Sequence, residues 1–198
     1  MIARVIREND LIRVPWKNGG GTTAEVAAFP EGSGFETFGW RVSMADVASD
    51  GPFSVFPEID RTLILVEGDR IELDVEGVAY RLDRTSPKLS FSGDDRTTSR
   101  LPSGPIRDLN VMTRRGRFRH RTRFVESGVA LLSEDTATAF LVVLDGPFDV
   151  TLGSIIHSLG RLDILRLEGP QDLILLSGAG RAILIEIAPE VSRGKHSF

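Results

Sequence analysis

Short runs rich in Val, Ile, Leu, Phe and Thr recur along the whole chain, each closed by a turn containing Gly, Pro or Asp. No stretch of twelve residues or more carries a strong amphipathic helical repeat. The pattern predicts strands at Thr22–Phe29, Phe38–Val47, Arg61–Val66, Ile71–Val75, Val78–Leu82, Lys88–Phe91 and Ile106–Met112. Further strands are expected at Arg117–Phe124, Ala139–Leu144, Phe148–Leu152, Asp163–Leu167, Asp172–Leu176 and Arg181–Ile187. Gly68-Asp69 and Glu76-Gly77 occupy hairpin-turn positions, and a short helix is expected near Ser127–Glu134. Many short strands with regular punctuation make an all-β sandwich or barrel.

The pattern also repeats. Leu65-Val66-Glu67-Gly68 has a counterpart in Val143-Leu144-Asp145-Gly146, and Ile71-Glu72-Leu73-Asp74 in Phe148-Asp149-Val150-Thr151. Phe91-Ser92-Gly93 aligns with Leu167-Glu168-Gly169, Ser103-Gly104 with Ala179-Gly180, and Ile106–Val111 with Ala182–Ile187. One β unit used twice is the expectation, with domains at residues 1–115 and 116–198. Arg61–Val66 is apolar at nearly every position, as in a strand covered on both faces. Two β-sandwiches packed against each other would provide that cover.

Charge and composition remove several function classes. A net charge of −4 supplies no global basic field for nucleic acid or anionic lipid. Without cysteine, disulfides, thiolate metal sites and cysteine nucleophiles are excluded. His120, His157 and His196 stand at no His-x-His or His-x-x-x-His spacing, so neither a metal nor any other cofactor is expected. No Gly-x-Ser-x-Gly elbow, P-loop order or helix-opening Gly-x-Gly-x-x-Gly is present, and spacing singles out no catalytic residue. The N-terminal segment lacks an apolar core of signal-peptide length, and no run is long enough to span a bilayer. A soluble cytoplasmic protein without membrane contact is the expectation.

The candidate binding residues are cations, amides and hydroxyls. In Pro15-Trp16-Lys17-Asn18-Gly19-Gly20-Gly21-Thr22-Thr23, free backbone N–H groups beside Lys17, Asn18 and Thr22 suit an anionic oxygen. The plainer reading is a tight turn before a strand. In Trp40-Arg41-Val42-Ser43-Met44, Arg41 and Ser43 share one strand face. If that face points inward, the guanidinium needs a carboxylate or a ligand; the alternative is a structural ion pair. Arg61 heads an apolar strand as a candidate carboxylate clamp, unless it pairs locally with Asp60. Asn110 sits in the apolar Leu109-Asn110-Val111 and, once buried, needs hydrogen bonds from backbone or ligand.

Arg115, Arg117, Arg119, Arg121 and Arg123 would share one strand face. That face could track nucleic acid, but a chain with 28 acidic residues has ample partners for it. A charged protective edge and a homodimer contact are the other uses of such a strand.

Several segments taken together resemble the HutD/Ves family. They are Pro15-Trp16-Lys17-Asn18-Gly19-Gly20-Gly21-Thr22, Trp40-Arg41-Val42-Ser43-Met44-Ala45, Asp50-Gly51-Pro52-Phe53-Ser54, Phe56-Pro57 and Asp60-Arg61. Ser92-Gly93-Asp94 and Asp108-Leu109-Asn110-Val111-Met112 belong to the same likeness. The resemblance implies an RmlC-like bicupin, two cupin-like β-sandwich or jelly-roll barrels packed together. It also implies a metal-free regulator of histidine utilisation that binds a small anionic metabolite such as formylglutamate. Lys17, Asn18, Thr22, Arg41, Ser43, Arg61 and Asn110 are the positions expected to bind it. The rival reading is a metal-free cupin isomerase or hydrolase using Asp60, Lys17 or His120.

Overall fold

The computed structural model describes residues 2–169 and 173–190. In chain order it forms β1 (Ile2–Ile6), a 3₁₀ turn at Glu8–Asp10, β2 (Arg13–Pro15), β3 (Gly21–Phe29), β4 (Trp40–Val47) and β5 (Gly51–Pro52). Next come β6 (Ile59–Glu67), β7 (Arg70–Val75), β8 (Val78–Asp83), β9 (Lys88–Ser92), β10 (Thr97–Arg100) and β11 (Ile106–Arg114). Then follow β12 (Phe118–Val125), β13 (Gly128–Leu131), β14 (Thr138–Val143) and β15 (Phe148–Leu152). The last are β16 (Ile155–Leu159), β17 (Ile164–Glu168), β18 (Leu173–Gly178) and β19 (Ala182–Pro189). The expected strand start at Asp172, and His196, lie outside the described residues. Among the described residues no helix is long and apolar enough to cross a membrane.

The chain divides into two units. In the unit Ile12–Arg115, one sheet runs β2-β3-β4-β11-β6-β9 and the other β5-β10-β7-β8. Counted from β4, its last eight strands take the orders 1-8-3-6 and 2-7-4-5, the jelly-roll arrangement found in cupins. The second unit repeats both orders with β12 to β19, in sheets β12-β19-β14-β17-β1 and β13-β18-β15-β16. The sequence repeat is therefore a repeat of eight strands. The domain expectation needs one correction. Residues up to Leu11 belong with the unit that begins at Gly116, because β1 pairs along its length with β17, from Ile2 opposite Glu168 to Ile6 opposite Ile164.

Each unit has its own core between its two sheets. In the first, Ala45, Val47, Leu63 and Leu65 pack with Ile71, Leu73, Val75 and Leu82. In the second, Leu141, Val143 and Leu184 pack with Phe148, Val150, Ile174 and Leu176. Full burial of each of these Val, Leu, Ile and Phe side chains contributes about 1.5–3 kcal/mol. Leu63 and Ile64 on β6, and Leu141 and Val142 on β14, are fully buried although neighbours point to opposite faces.

Two local expectations change. No helix forms near Ser127–Glu134. Gly128, at φ 135°, lies outside the helical region, and β13 pairs with β18, Val129 opposite Leu175 and Leu131 opposite Leu173. Gly68-Asp69 joins β6 in one sheet to β7 in the other rather than closing a hairpin. Glu76-Gly77 does close one: Val75 faces Val78, and φ values of 49° and 81° match the type I′ turn that strand twist favours.

Candidate functional site

Along β4, Arg41 and Ser43 share the parity of Ala45 and Val47, which face the core of the first unit. On β6 the same face carries Arg61, Leu63 and Leu65; on β11 it carries Ile106, Asp108, Asn110 and Met112. Register aligns them in rows. Met112 is opposite both Arg41 and Arg61, Asn110 opposite Ser43 and Leu63, and Asp108 opposite Ala45 and Leu65. The two arginines thus flank β11, with backbones about 10 Å apart. The row below them holds Ser43, Asn110 and Leu63, and the rows beyond it are apolar apart from Asp108.

Arg61 is 5% exposed. Its Nη2 donates to Asn110 Oδ1 at 2.9 Å and its Nη1 to the Ser54 carbonyl at 3.3 Å. The rings of Phe53, Phe56 and Phe91 surround the guanidinium at 5.4, 5.4 and 5.0 Å. Nε is buried and has no hydrogen-bond partner. Burial lowers the Arg61 pKa to about 10, against the attraction of Asp108 and with help from Arg41, so the group stays cationic at neutral pH.

Arg41, 8% exposed, donates from Nε to Glu25 Oε2 at 2.8 Å and from Nη1 to Ser43 Oγ at 3.4 Å. Its guanidinium lies 4.8 Å from the Phe35 ring. A slip in register between Glu25 and Ala27 places Glu25 opposite Ser43, within reach of Arg41. The Glu25 side chain is 42% exposed, so the Arg41 end of the group meets solvent.

Asp108 is 1% exposed and accepts a hydrogen bond from Asn110 Nδ2 at 2.5 Å. Burial pushes its pKa up to about 7, a rise that Arg61 and Asn110 only partly oppose and Asp46 reinforces. Two buried guanidiniums thus accompany one exposed carboxylate and one buried carboxyl whose pKa is raised. The arrangement is cationic and ringed by phenyl groups, and the buried Arg61 Nε, which has no hydrogen-bond partner, has the chemistry to donate to a carboxylate oxygen.

Of the seven expected binding residues, the structure brings together Arg41, Ser43, Arg61 and Asn110. It separates the other three. Ala48 N–H donates to the Gly20 carbonyl and Gly21 pairs with Val47, so the Trp16–Gly20 turn lies at the far end of β4. Six residues of strand put that end about 20 Å from Arg41. There Asn18 Oδ1 accepts the Gly20 N–H at 3.1 Å, and Lys17 is exposed. Thr22 sits on the opposite face and donates to Asp46 Oδ2 at 3.1 Å, within an ion-pair group completed by Arg13 and Arg107. The glycines serve the turn itself. Gly19 has φ 72°, and a Cβ on Gly21 would lie 2.3 Å from the Asp46 carbonyl oxygen.

Other candidates are placed as well. Asp60 does not pair with Arg61; it accepts from Arg115 Nη2 at 2.8 Å. Arg115 and Arg117 precede β12, which leaves Arg119, Arg121 and Arg123 on its face. Arg119 and Arg121 both bind Asp135, Arg123 lies 3.6 Å from Glu186, and Arg115 also binds Asp94. The second unit therefore differs in kind. By strand register Glu186 takes the place of Met112, lying opposite Ala139 of β14 as Met112 lies opposite Arg61 of β6; burial pushes its pKa up, but the Ser133 N–H, Thr136 and Arg123 lower it on balance. β14, the counterpart of β6, carries no charged residue.

Sequence reasoning missed Glu25, Asp108 and the phenyl rings as parts of one site. Asp108 carried a signal: an acid two residues before Asn110 in an apolar strand must share its face. Among the described residues no three His, Asp or Glu side chains gather as a metal site.

The HutD family model matches residues 8–184. A Pseudomonas putida protein described as an uncharacterized 21.2 kDa protein in the hutC 3′ region is 35% identical, over 93% of this chain and 96% of that one. Protein Ves from Citrobacter koseri is 33% identical over 67% of this chain and 71% of its own length. The solved structure of HutD from Pseudomonas fluorescens SBW25, in a formate condition, superposes with a TM-score of 0.83 at 33% identity, covering 96% of this chain and all of that one. On a match that includes the arginine-bearing strands as well as the double jelly roll, the chain belongs to the HutD family.

Proposed function

We propose that the jelly roll of Ile12–Arg115 binds a small organic acid, and that the protein acts as a metal-free binding regulator of histidine utilisation rather than as an enzyme. Formylglutamate is the ligand proposed. The observation that carries this reading is the bare Nε of Arg61, a cationic donor held inside the barrel without a partner. Leaving such a group unpaired costs stability unless a ligand engages it. Two further features support the reading. Arg41 lies across β11 to engage a second carboxylate, and Ser43 offers a hydroxyl beside it for an amide or formyl oxygen. The family's setting in histidine utilisation supplies the ligand class, since formylglutamate carries two carboxylates and a formamide.

The test is calorimetric titration of the purified protein with formylglutamate, urocanate and glutamate. One saturable site for formylglutamate, lost in Arg61→Ala, is the expected result. Equal affinity in Arg61→Ala rejects the site.

One observation favours catalysis instead. A carboxyl poised near neutrality, as Asp108 is, suits general acid–base work. It reaches the arginine edge only through Asn110, which fits support of binding better than contact with a reacting atom. Product formation from the same metabolites by the purified protein would establish the enzyme reading.

A further inference from the structure

Among the described residues, Asp108 is the one buried carboxylate of the Ile12–Arg115 unit. It is wired to the site by two bonds. Asn110 Nδ2 donates to Asp108 Oδ1 at 2.5 Å, and Asn110 Oδ1 accepts from Arg61 Nη2 at 2.9 Å. One amide therefore reports to both the buried acid and the arginine. On the assumption that this unit binds a carboxylate, we propose that capture of an organic-acid anion on Arg61 draws a solvent proton onto the Asp108 carboxyl.

The charged surroundings of Asp108 are few. On β6 the interior face presents Arg61, and on β4 it presents Arg41, itself paired with Glu25 of β3. Asp46 of β4 points to the other face, where Arg13 and Arg107 neutralise it. The facing sheet contributes only uncharged groups: Ile71, Leu73 and Val75 of β7, Leu82 of β8, and the buried Thr97 and Ser99 of β10. Arg61 is therefore the main charge that keeps Asp108 from holding its proton, against the burial that favours protonation. A ligand carboxylate on Arg61 cancels that opposition, and the Asp108 oxygen takes up a proton with no other bond made or broken. Linkage fixes the sign. An anion that promotes protonation binds more tightly when protons are abundant, so affinity rises as pH falls through neutrality. A one-unit rise in the Asp108 pKa on binding makes affinity roughly five-fold greater at about pH 6 than at about pH 8.

The experiment is titration of formylglutamate, whose own carboxylates do not titrate in this range, into wild type and Asp108→Asn. It is run at about pH 6, 7 and 8, in buffers of different ionisation heat. The expected result is buffer-dependent heat and the five-fold pH slope in wild type, with both lost in Asp108→Asn. Wild-type binding with buffer-independent heat and no pH slope overturns the proton link and leaves the carboxylate site standing. Proton uptake that survives in Asp108→Asn assigns it to another group and also overturns the proposal. Absence of binding at every pH overturns the carboxylate reading together with it. Should Asp108→Asn fail to fold, carboxyl-carbon NMR of wild type reads Asp108 directly, and a resonance unmoved by formylglutamate overturns the link.

Discussion

Arg61 and Asn110 meet across neighbouring strands, the Nη2 of one donating to the Oδ1 of the other at 2.9 Å. The bond, the Ser54 carbonyl and three phenyl rings fix the plane of the guanidinium, so its remaining edge is presented in a set direction. Holding the donor in place beforehand reduces the ordering cost when a ligand arrives.

Lysine cannot reproduce this arrangement. Arg61→Lys keeps the charge but loses the planar fork and the fixed bond to Asn110. Formylglutamate affinity is expected to fall at least about ten-fold, equivalent to about 1.4 kcal/mol, with the protein still folded. Calorimetry alongside thermal unfolding checks both parts.

Asp108 gives the stability curve a characteristic shape. Its folded pKa, about 7, stands above the ordinary 3.8, so ionising it costs folding energy. That cost is absent below the unfolded value, grows as pH rises, and levels off above about 7. Asp108→Asn should therefore gain stability over wild type progressively between those limits, by on the order of 4 kcal/mol at most. Urea unfolding of both proteins across this range measures the difference; a constant difference contradicts the assignment.

The Trp16–Gly20 turn is structural in this account. Lys17→Ala should leave formylglutamate affinity within about two-fold of wild type. Gly21→Ala should destabilise by about 1–3 kcal/mol, because the new methyl meets the Asp46 carbonyl oxygen and the Trp16 ring. Binding and melting measurements on the two variants separate the roles.

Leu63 lies in the row below the arginines and is fully buried. Leu63→Ala should cost about 2–5 kcal/mol. Denaturant unfolding gives the value, and a cost below about 1 kcal/mol contradicts the packing described.

Alternation and turn chemistry made most strands legible, because runs such as Phe148–Leu152 are bounded by residues that cannot continue them. The shortest strands escaped: Arg13–Pro15, Gly51–Pro52 and Thr97–Arg100 are too brief or too polar to show a period. Ile2–Ile6 was unreadable as part of the second unit, since its partner β17 lies far along the chain. Period-two parity puts Arg41 with Ser43, and Asn110 is legible as a polar residue in an apolar strand; the same parity joins Asp108 to Asn110, a relation the sequence reading does not draw. The Gly19-Gly20-Gly21 signal does not reveal at which end of a strand a turn sits, so the separation of Lys17, Asn18 and Thr22 from Arg41 is not legible in the sequence. Glu25 reaches Arg41 only through a slip in register that no local residue announces.

The central claim is that Arg61 uses its bare Nε edge to hold a ligand carboxylate. A crystal structure of the protein with formylglutamate tests it most directly. The account predicts a carboxylate oxygen about 2.7–2.9 Å from Arg61 Nε inside the first jelly roll. Ligand bound at the Trp16–Gly20 turn or on β12, with that nitrogen untouched, would contradict it.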